Sequence, residues 1–416
     1  MRIERLGELG PAADVLRTVA AGARSVGLAP PAALVGDWFG SAAVIAPSVD
    51  IRPVRAAEVF DVAPGGPSES VGGGWIGYLS YPDPGADGAA PRIPAAAGGW
   101  TDHVVRLDTG GCWWYENLTG AAPPDWLTAA LAVPAHPEAA GIIWGHADFD
   151  QHQAGVEACL EAIRAGEIYQ ACVCTQFAGT LTGTPLEFFA DAIVRTAPAR
   201  GAYLAGRWGA VASLSPELFL RRVGDEVTSS PIKGTLPRSA DPDGLLASAK
   251  DVAENIMIVD LVRNDLGHVA VTGSVTVSEL LAVRPAPGVW HLVSTVAARV
   301  PAEVSNTTLL DATFPPASVT GTPKLRARQL LSGWEPRGRG VYCGTIGLAS
   351  PVAGCELNVA IRTVEFDAHL CAVLGVGGGI TADSDPAAEW QECLDKAAPI
   401  VGCAPAHVSR DRSTAS

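Results

Sequence analysis

The sequence predicts a chain that mixes α-helices with antiparallel strands, and three observations carry that prediction. Strand-like apolar runs recur from the N-terminal third onward, as at Ala42-Ala43-Val44-Ile45 and Trp75-Ile76-Gly77-Tyr78-Leu79. Three further runs, over 340–349, 356–366 and 371–376, follow one another closely and suggest an antiparallel meander. Separate segments carry apolar residues at helical spacing, the longest from 248 to 266.

With 416 residues, 48% of them hydrophobic, the chain has material for a large core. Its formal charge of −15 argues against nucleic acid as the main partner, because a phosphate backbone selects for excess Lys and Arg. An anionic ligand would then need local positive charge or a metal ion. No apolar run reaches the roughly 18 residues of a membrane span, and no leader pattern opens the chain. The expectation is a soluble, cytoplasmic protein with no membrane partner. Nine cysteines, without a CxxC pair, fit buried reduced thiols better than a zinc site or a disulfide framework. Cys172 and Cys174 alternate along a strand and share a face.

In chain order, residues 1 to about 150 are rich in Ala, Gly and Pro, with loops expected around 64–74 and 82–94, and they hold no catalytic constellation. His103 reads as structural. A helix is expected from about Asp150, with Val156, Leu160 and Ile163 on one face and Gly166 at its end, followed by a strand over 168–177 that contains Gln170. Residues 210–214 and 218–220 look like two strands joined at a turn carrying Glu217, a candidate acid. Ser229 to Arg238 reads as a short rigid turn that sets Lys233 beside Gly234 and Thr235. Pro231 restricts its own φ, and Gly234 permits a close backbone approach to a ligand. A lysine there is a nucleophile only if burial or a neighbouring cation pulls its pKa down; otherwise it is a solvated loop residue.

The helix over 248–266 places Val252, Ile256, Val259 and Val262 at helical spacing, with Asp251 and Glu254 at i and i+3. Two carboxylates on one face either meet solvent or share a cation, for which Mg2+ is suited. His291 lies in a strand-like run. Phe314 to Lys324 is a hydroxyl-rich loop before a helix, suited to an anion. Arg362 falls within the strand expected over 356–366, where a buried guanidinium needs an anionic partner. Gly377-Gly378-Gly379 closes the last strand, and a helix capped by Asp383, Ser384 or Asp385 carries Glu389, Glu392 and Lys396 on one face. A disordered tail is expected from about 404.

These segments resemble, in unbroken order over roughly 148–403, the chorismate-utilising enzymes. The resemblance rests on Gly166-Glu167-Ile168-Tyr169-Gln170, Ser215-Pro216-Glu217, Pro231-Ile232-Lys233-Gly234-Thr235, the run from Ala253 to Gly267, His291-Leu292-Val293-Ser294, Thr320-Gly321-Thr322-Pro323-Lys324, Ile361-Arg362-Thr363 and the block from Gly378 to Lys396. The N-terminal part is similar mainly through Gly73-Gly74-Trp75-Ile76-Gly77-Tyr78. The fold it implies is α+β, with two packed antiparallel β-sheets flanked by helices. Residues 1–147 would be a subregion of that fold, 148–403 the chorismate-binding catalytic region and 404–416 a tail.

Two positions bear on the reaction. Family members that add water to chorismate carry a lysine base where this chain has Gln170, and anthranilate-forming members have alanine where it has Lys233. The pair Gln170 and Lys233 resembles the branch that aminates chorismate at C4; anthranilate formation and an inactive chorismate-binding regulatory subunit are the alternatives. The leucine-glutamate-serine element that many anthranilate-forming members use to bind tryptophan is not evident near residues 33–38. The resemblance also implies a set of roles. Mg2+ would be held chiefly by Glu254 and Glu392, with Asp251 and Glu389 nearby. Lys233 would be the nucleophile, Glu217 the acid, and His291 would orient the leaving side. Gln170, Gly234, Thr235, Ser318, Thr320, Gly321, Tyr342, Arg362, Gly378, Gly379 and Lys396 would bind substrate. No stretch of the 416 residues reads as a glutaminase, so ammonia is expected from a separate glutamine amidotransferase subunit or from solution. Pro315-Pro316-Ala317 and His268 depart from the family pattern.

Overall fold

The computed structural model describes residues 1–82 and 91–402. The expected tail from 404, and residues 83–90 of the loop expected over 82–94, lie outside them. Among the described residues the strands form one 12-stranded and one 10-stranded sheet. The larger runs from Arg2–Gly7 through the other N-terminal strands to Arg200–Gly206, Gly209–Ser215, Thr363–Asp367, Cys371–Ile380, Gln170–Thr182 and finally Gly321–Thr322. The smaller begins at Ile232–Pro237 and continues through Val289–Arg299, Glu226–Ser230, Leu218–Val223, Gly354–Asn358, Thr345–Ser350 and Gly74–Leu79. Strands from the first 147 residues enter both sheets.

The sheets pack face to face. Leu34, Val44, Leu204 and Val211 of the larger meet Ile76, Tyr78, Ile346 and Leu348 of the smaller in one buried cluster. Each such aliphatic side chain contributes about 1.5–3 kcal/mol by leaving water. Helices Ala12–Ser25 and Pro185–Thr196 cover the outer face of the larger sheet. Ala249–Gly267 covers the smaller, through Ile258, Val259, Val262 and Leu266 against Phe219, Leu220, Val296 and Ala298. The α+β architecture of two antiparallel sheets with outer helices is thus as the sequence implies. No helix among the described residues is long and apolar enough to cross a membrane.

Several local expectations need correction. The runs over 340–349, 356–366 and 371–376 do not make one meander: Thr345–Ser350 pairs with Gly354–Asn358 in the smaller sheet, and Thr363–Asp367 with Cys371–Ile380 in the larger. The run 356–366 is therefore two strands. Arg362 stands in the crossing between them at φ +51°, not within a strand. Likewise Gly209–Ser215 and Leu218–Val223 are no hairpin. They belong to different sheets, and Pro216-Glu217 bridges the gap. Ser229 to Arg238 is not a turn but the end of one strand and the edge strand Ile232–Pro237. On helix Ala249–Gly267 the buried face holds Glu254, Asn255, Ile258, Val259, Leu261, Val262, Asp265 and Leu266, while Ile256 is exposed. Apolar spacing alone missed this rotation because three polar residues, Glu254, Asn255 and Asp265, face inward.

The two crossings are bound to each other. Val359 N–H donates to Glu217 C=O at 3.0 Å, Leu214 N–H to Arg362 C=O at 2.9 Å, and Ser215 Oγ to Val359 C=O at 2.6 Å. Both chain switches therefore sit at one point between the sheets, and they bring Glu217 and Arg362 together. Asn358, fully buried, pins this point: its Nδ2 donates to Arg200 C=O at 2.9 Å and its Oδ1 accepts Ile346 N–H at 3.0 Å. Asn358→Ala should cost about 2–4 kcal/mol, because a buried carbonyl and a buried N–H lose their partners. Urea unfolding measures it, and a loss below about 1 kcal/mol would show that the switch does not depend on this side chain.

Candidate active site

The edge strand Ile232–Pro237 loses register with Val289–Arg299 between Ile232 and Thr235, and Gly234 within that bulge has φ +86°. Bulges re-aim side chains, and here Lys233 points onto helix Ala249–Gly267. Its Nζ donates to Glu254 Oε1 at 2.7 Å, with side chains 11% and 9% exposed. Burial pulls the Lys233 pKa down. Glu254, with smaller contributions from Cys172 and Glu217, outweighs burial and holds it above the usual lysine value. The ammonium is therefore the resting form, and the free amine that a nucleophile needs is not.

Gly378 and Gly379 do not follow the last strand; they lie inside it, paired with Val173 and Cys172. Cys172 N–H donates to Thr320 C=O and Cys174 N–H to Glu335, both away from this strand. In an antiparallel ladder, Cys172/Gly379 and Cys174/Gly377 are then the non-hydrogen-bonded pairs. Gly378 N–H faces the ladder, whereas Gly377 and Gly379 face the open edge, because Thr363–Asp367 pairs no further than Leu374. Lys396 Nζ donates to Gly377 C=O on that edge at 2.8 Å.

The missing Cβ atoms let carboxylates close in on this backbone. A Cβ on Gly379 would collide with Glu254 Oε1 and stand 2.7 Å from Gln170 Nε2. One on Gly378 would stand 3.1 Å from Glu389 Oε2 and 3.8 Å from Glu392 Oε1. Glu389 is buried, and its Oε1 accepts Lys250 Nζ at 3.0 Å and Ser384 Oγ at 2.6 Å, while its buried Oε2 has no partner. Glu392 pairs with Lys396 at 2.7 Å. Burial opposes ionisation of Glu392, but Lys396 and Lys250 hold its pKa below the usual carboxylate value. Both amide atoms of Gln170 are buried and unpartnered. Unsatisfied buried polar atoms are uncommon in native proteins, and here Gln170 Nε2 lies by Gly379 and Glu389 Oε2 by Gly378.

On the far side of Lys233, burial raises the Glu217 pKa to about 7 against the opposing pull of Ser318, Lys233 and the Ile232 N–H. His291 faces Thr235 across the two strands, its Nδ1 2.9 Å from Thr235 Oγ1, with Nε2 buried and unpartnered. Burial, then Arg362, lowers the His291 pKa to about 4, so the ring is neutral near neutral pH. The Arg362 guanidinium makes no ion pair or hydrogen bond among the described residues. Burial lowers its pKa and Glu217 partly restores it. An arginine, a neutral histidine and a half-protonated carboxyl thus stand beside an ammonium.

Other expected residues lie at the margin. Asp251 packs under Gly234, its Cβ and Cγ 3.2 and 3.3 Å from where a Cβ on that glycine would stand. Thr320 Oγ1 is committed to Pro316 C=O at 2.9 Å, and Gly321 lets the chain press against Gln170 C=O. The Tyr342 hydroxyl lies 3.9 Å from Cys174 Sγ in the core between the sheets. Sequence reading missed Lys250, Asn255 and Ser294. Asn255 Nδ2 donates to Leu292 C=O at 3.2 Å and its Oδ1 accepts Ser294 Oγ at 2.5 Å, which locks the helix to the strand bearing His291. An asparagine next to an inward glutamate was the available signal.

Among the described residues no three His, Cys, Asp or Glu side chains are arranged to hold one ion. The donor chemistry still fits a hard divalent cation, which takes one or two carboxylates and keeps several waters. Glu254 lies against Gly379 and Glu392 against its neighbour Gly378, and Glu389 Oε2 offers a buried oxygen without a partner.

Residues 54–402 match the family model described as chorismate binding enzyme. The chain is 43% identical to aminodeoxychorismate synthase component 1 of Klebsiella aerogenes over 242 residues, 56% of this chain and 53% of that protein. It is 38% identical to aminodeoxychorismate synthase of Streptomyces griseus over 360 residues, 79% of this chain and 49% of that one. The chain thus spans about half the length of these curated relatives. Its fold is shared with anthranilate synthase component I from Streptococcus pneumoniae, with TM-score 0.70, 24% identity, and coverage of 96% of this chain and 92% of that one.

A carboxyl raised in the folded state holds its proton longer than in the unfolded chain, so stability falls as pH rises from about 4.5 to 7. Glu217→Gln should therefore be more stable than the parent at pH 8, by about 3 kcal/mol, and equal to it below pH 4. Urea unfolding at both pH values measures this. A mutant no more stable at pH 8 than at pH 4, relative to the parent, would contradict the raised pKa.

Proposed function

The chain belongs to the chorismate binding enzyme family, and within it we propose that it aminates chorismate at C4, giving 4-amino-4-deoxychorismate as an aminodeoxychorismate synthase component I. The observation that carries this reading is the meeting of Gln170 and Lys233 around Glu254 and Gly379. An amide cannot deprotonate water, so Gln170 does not supply the base of the water-adding members. Lys233 instead offers a nitrogen within the same pocket.

Glu254 and Glu392 would hold Mg2+, with Glu389 beside them. The ion would neutralise the ring carboxylate and supply positive charge in an acidic protein. The open-edge N–H of Gly379, the Arg362 guanidinium and Lys396 fix the two carboxylates, and Ser318 and Gly321 line the wall. Lys233 Nζ, freed from Glu254 and with its proton passed to solvent, attacks C2. The ring double bonds shift, the C4–O bond breaks, and the hydroxyl leaves as water with the proton of Glu217. His291, neutral and held by Thr235, donates Nε2–H or accepts at the leaving side. Ammonia then bonds to C4, the double bonds shift back, and the C2–N bond to Lys233 breaks. Splitting one displacement into two allylic steps is the gain of covalent catalysis. Ammonia comes from a glutamine amidotransferase partner, and the product serves para-aminobenzoate synthesis.

Product analysis after incubation with chorismate, Mg2+ and ammonium tests this. A product that keeps the enolpyruvyl group, and that a separate lyase converts to para-aminobenzoate, is expected. Anthranilate with released pyruvate would mean the anthranilate reaction, and tight chorismate binding without turnover a regulatory subunit. Lys233→Ala should lower C4 amination by roughly 10³-fold or more while chorismate still binds. Unchanged amination would remove Lys233 from the mechanism.

A further inference from the structure

Strand Gln170–Thr182 is only partly covered on the edge away from Cys371–Ile380. Gly321–Thr322 pairs with it at Gln170 and Ala171, and Gly141–Trp144 from Gly179 to Thr182. Between them the edge presents backbone groups that no strand meets. A buried ion pair meets them instead. Arg339 Nη2 donates to Cys172 C=O at 2.6 Å, and Glu335 Oε1 accepts Cys174 N–H at 3.0 Å. Along one strand edge, the C=O of one residue and the N–H two residues on are what a neighbouring strand would bond.

Arg339 and Glu335 are joined through Nε–Oε2 and Nη2–Oε1, both at 2.7 Å, and both are buried. Arg339 has a further reach. Its Nη1 donates to Val319 C=O at 2.8 Å, and its guanidinium lies 4.5 Å from the Tyr81 ring centre. Val319 sits between Ser318, which helps hold down the Glu217 pKa, and Thr320, whose C=O accepts Cys172 N–H at 2.9 Å. One bidentate pair thus ties the edge two residues beyond Gln170 to the loop that lines the site.

We infer that Arg339 and Glu335 are positioning residues that replace an absent strand and hold the 317–321 loop against Gln170–Cys174 in its substrate-binding position. Neither residue touches the reacting atoms. The inference rests on the reading of that loop as part of the chorismate site. A planar guanidinium with donors in a fixed fork suits three acceptors in different directions, and a lysine does not.

The test is chorismate KM, kcat and calorimetric Kd for Arg339→Ala, Arg339→Lys and Glu335→Gln in the purified chain. Arg339→Ala should raise KM and Kd about tenfold with kcat within about threefold, because a displaced loop weakens ground-state binding. Arg339→Lys should recover only part of this. A cavity of about 50 Å³ lined by Cys174, Glu335, Arg339 and Tyr342 adjoins the site of truncation, so added guanidinium should restore the Arg339→Ala KM. A purely structural role would lower the active fraction, hence kcat and thermal midpoint, and leave KM unmoved; that result overturns the inference. If Arg339→Ala does not fold, Glu335→Gln decides: a KM or Kd raised about threefold supports it, and unchanged values contradict it. Calorimetry needs no turnover, so a parent chain that binds chorismate but yields another product would sink the proposed reaction and leave this test intact.

Discussion

The buried ion pair between Lys233 and Glu254 is the interaction on which the site depends. Taking two charges out of water costs several kcal/mol per ion, and only close pairing offsets it. Two less buried pairs flank it, Lys250 on the buried Glu389 and Lys396 on the half-exposed Glu392. Three lysines therefore balance three carboxylates around two glycines. The dianionic substrate proposed above would add negative charge to a site whose three lysines are already paired. Arg362, whose guanidinium makes no ion pair among the described residues, would answer part of that need, and the divalent cation proposed for Glu254 and Glu392 would answer the rest. It would also take from Lys233 the carboxylate that keeps it protonated.

What makes this charge cluster possible is the way the chain changes sheets. Pro216-Glu217 and Val359 to Arg362 cross the same gap, hydrogen-bonded to one another, and Asn358 fixes their junction. Glu217 and Arg362 are thereby held between sheets, where burial raises one pKa and lowers the other. The bulge at Gly234 and the open edge beyond Leu374 supply the remaining walls. Each is an irregularity in a sheet, and each leaves backbone or side-chain groups facing inward.

Much of this was legible in the sequence. Gly/Pro punctuation and helical periodicity located the helix capped by Ser248, the strand through His291 and the helix begun at Pro386, because those signals are local. Glu254, Glu389 and Glu392 stood out as acidic pairs at helical spacing. Periodicity could not say that Asn255 faces inward with Glu254, since a polar residue at a buried position carries no apolar signal. It could not separate Gly354–Asn358 from Thr363–Asp367 either, because a strand that leaves one sheet for another reads as one continuous run. The pairing of Lys233 with Glu254, 21 residues apart, and of Lys250 with Glu389, 139 apart, is set by the packing of elements and has no local signature.

The most direct test of the central claim is to follow the Lys233 side chain itself. The protein is mixed with chorismate and Mg2+ without ammonia, quenched in acid, digested and analysed by mass spectrometry. The account predicts that the peptide containing Lys233 gains the mass of chorismate less one water, and that adding ammonia before the quench discharges it. An adduct on another residue, or no adduct while C4-aminated product still forms, would contradict it.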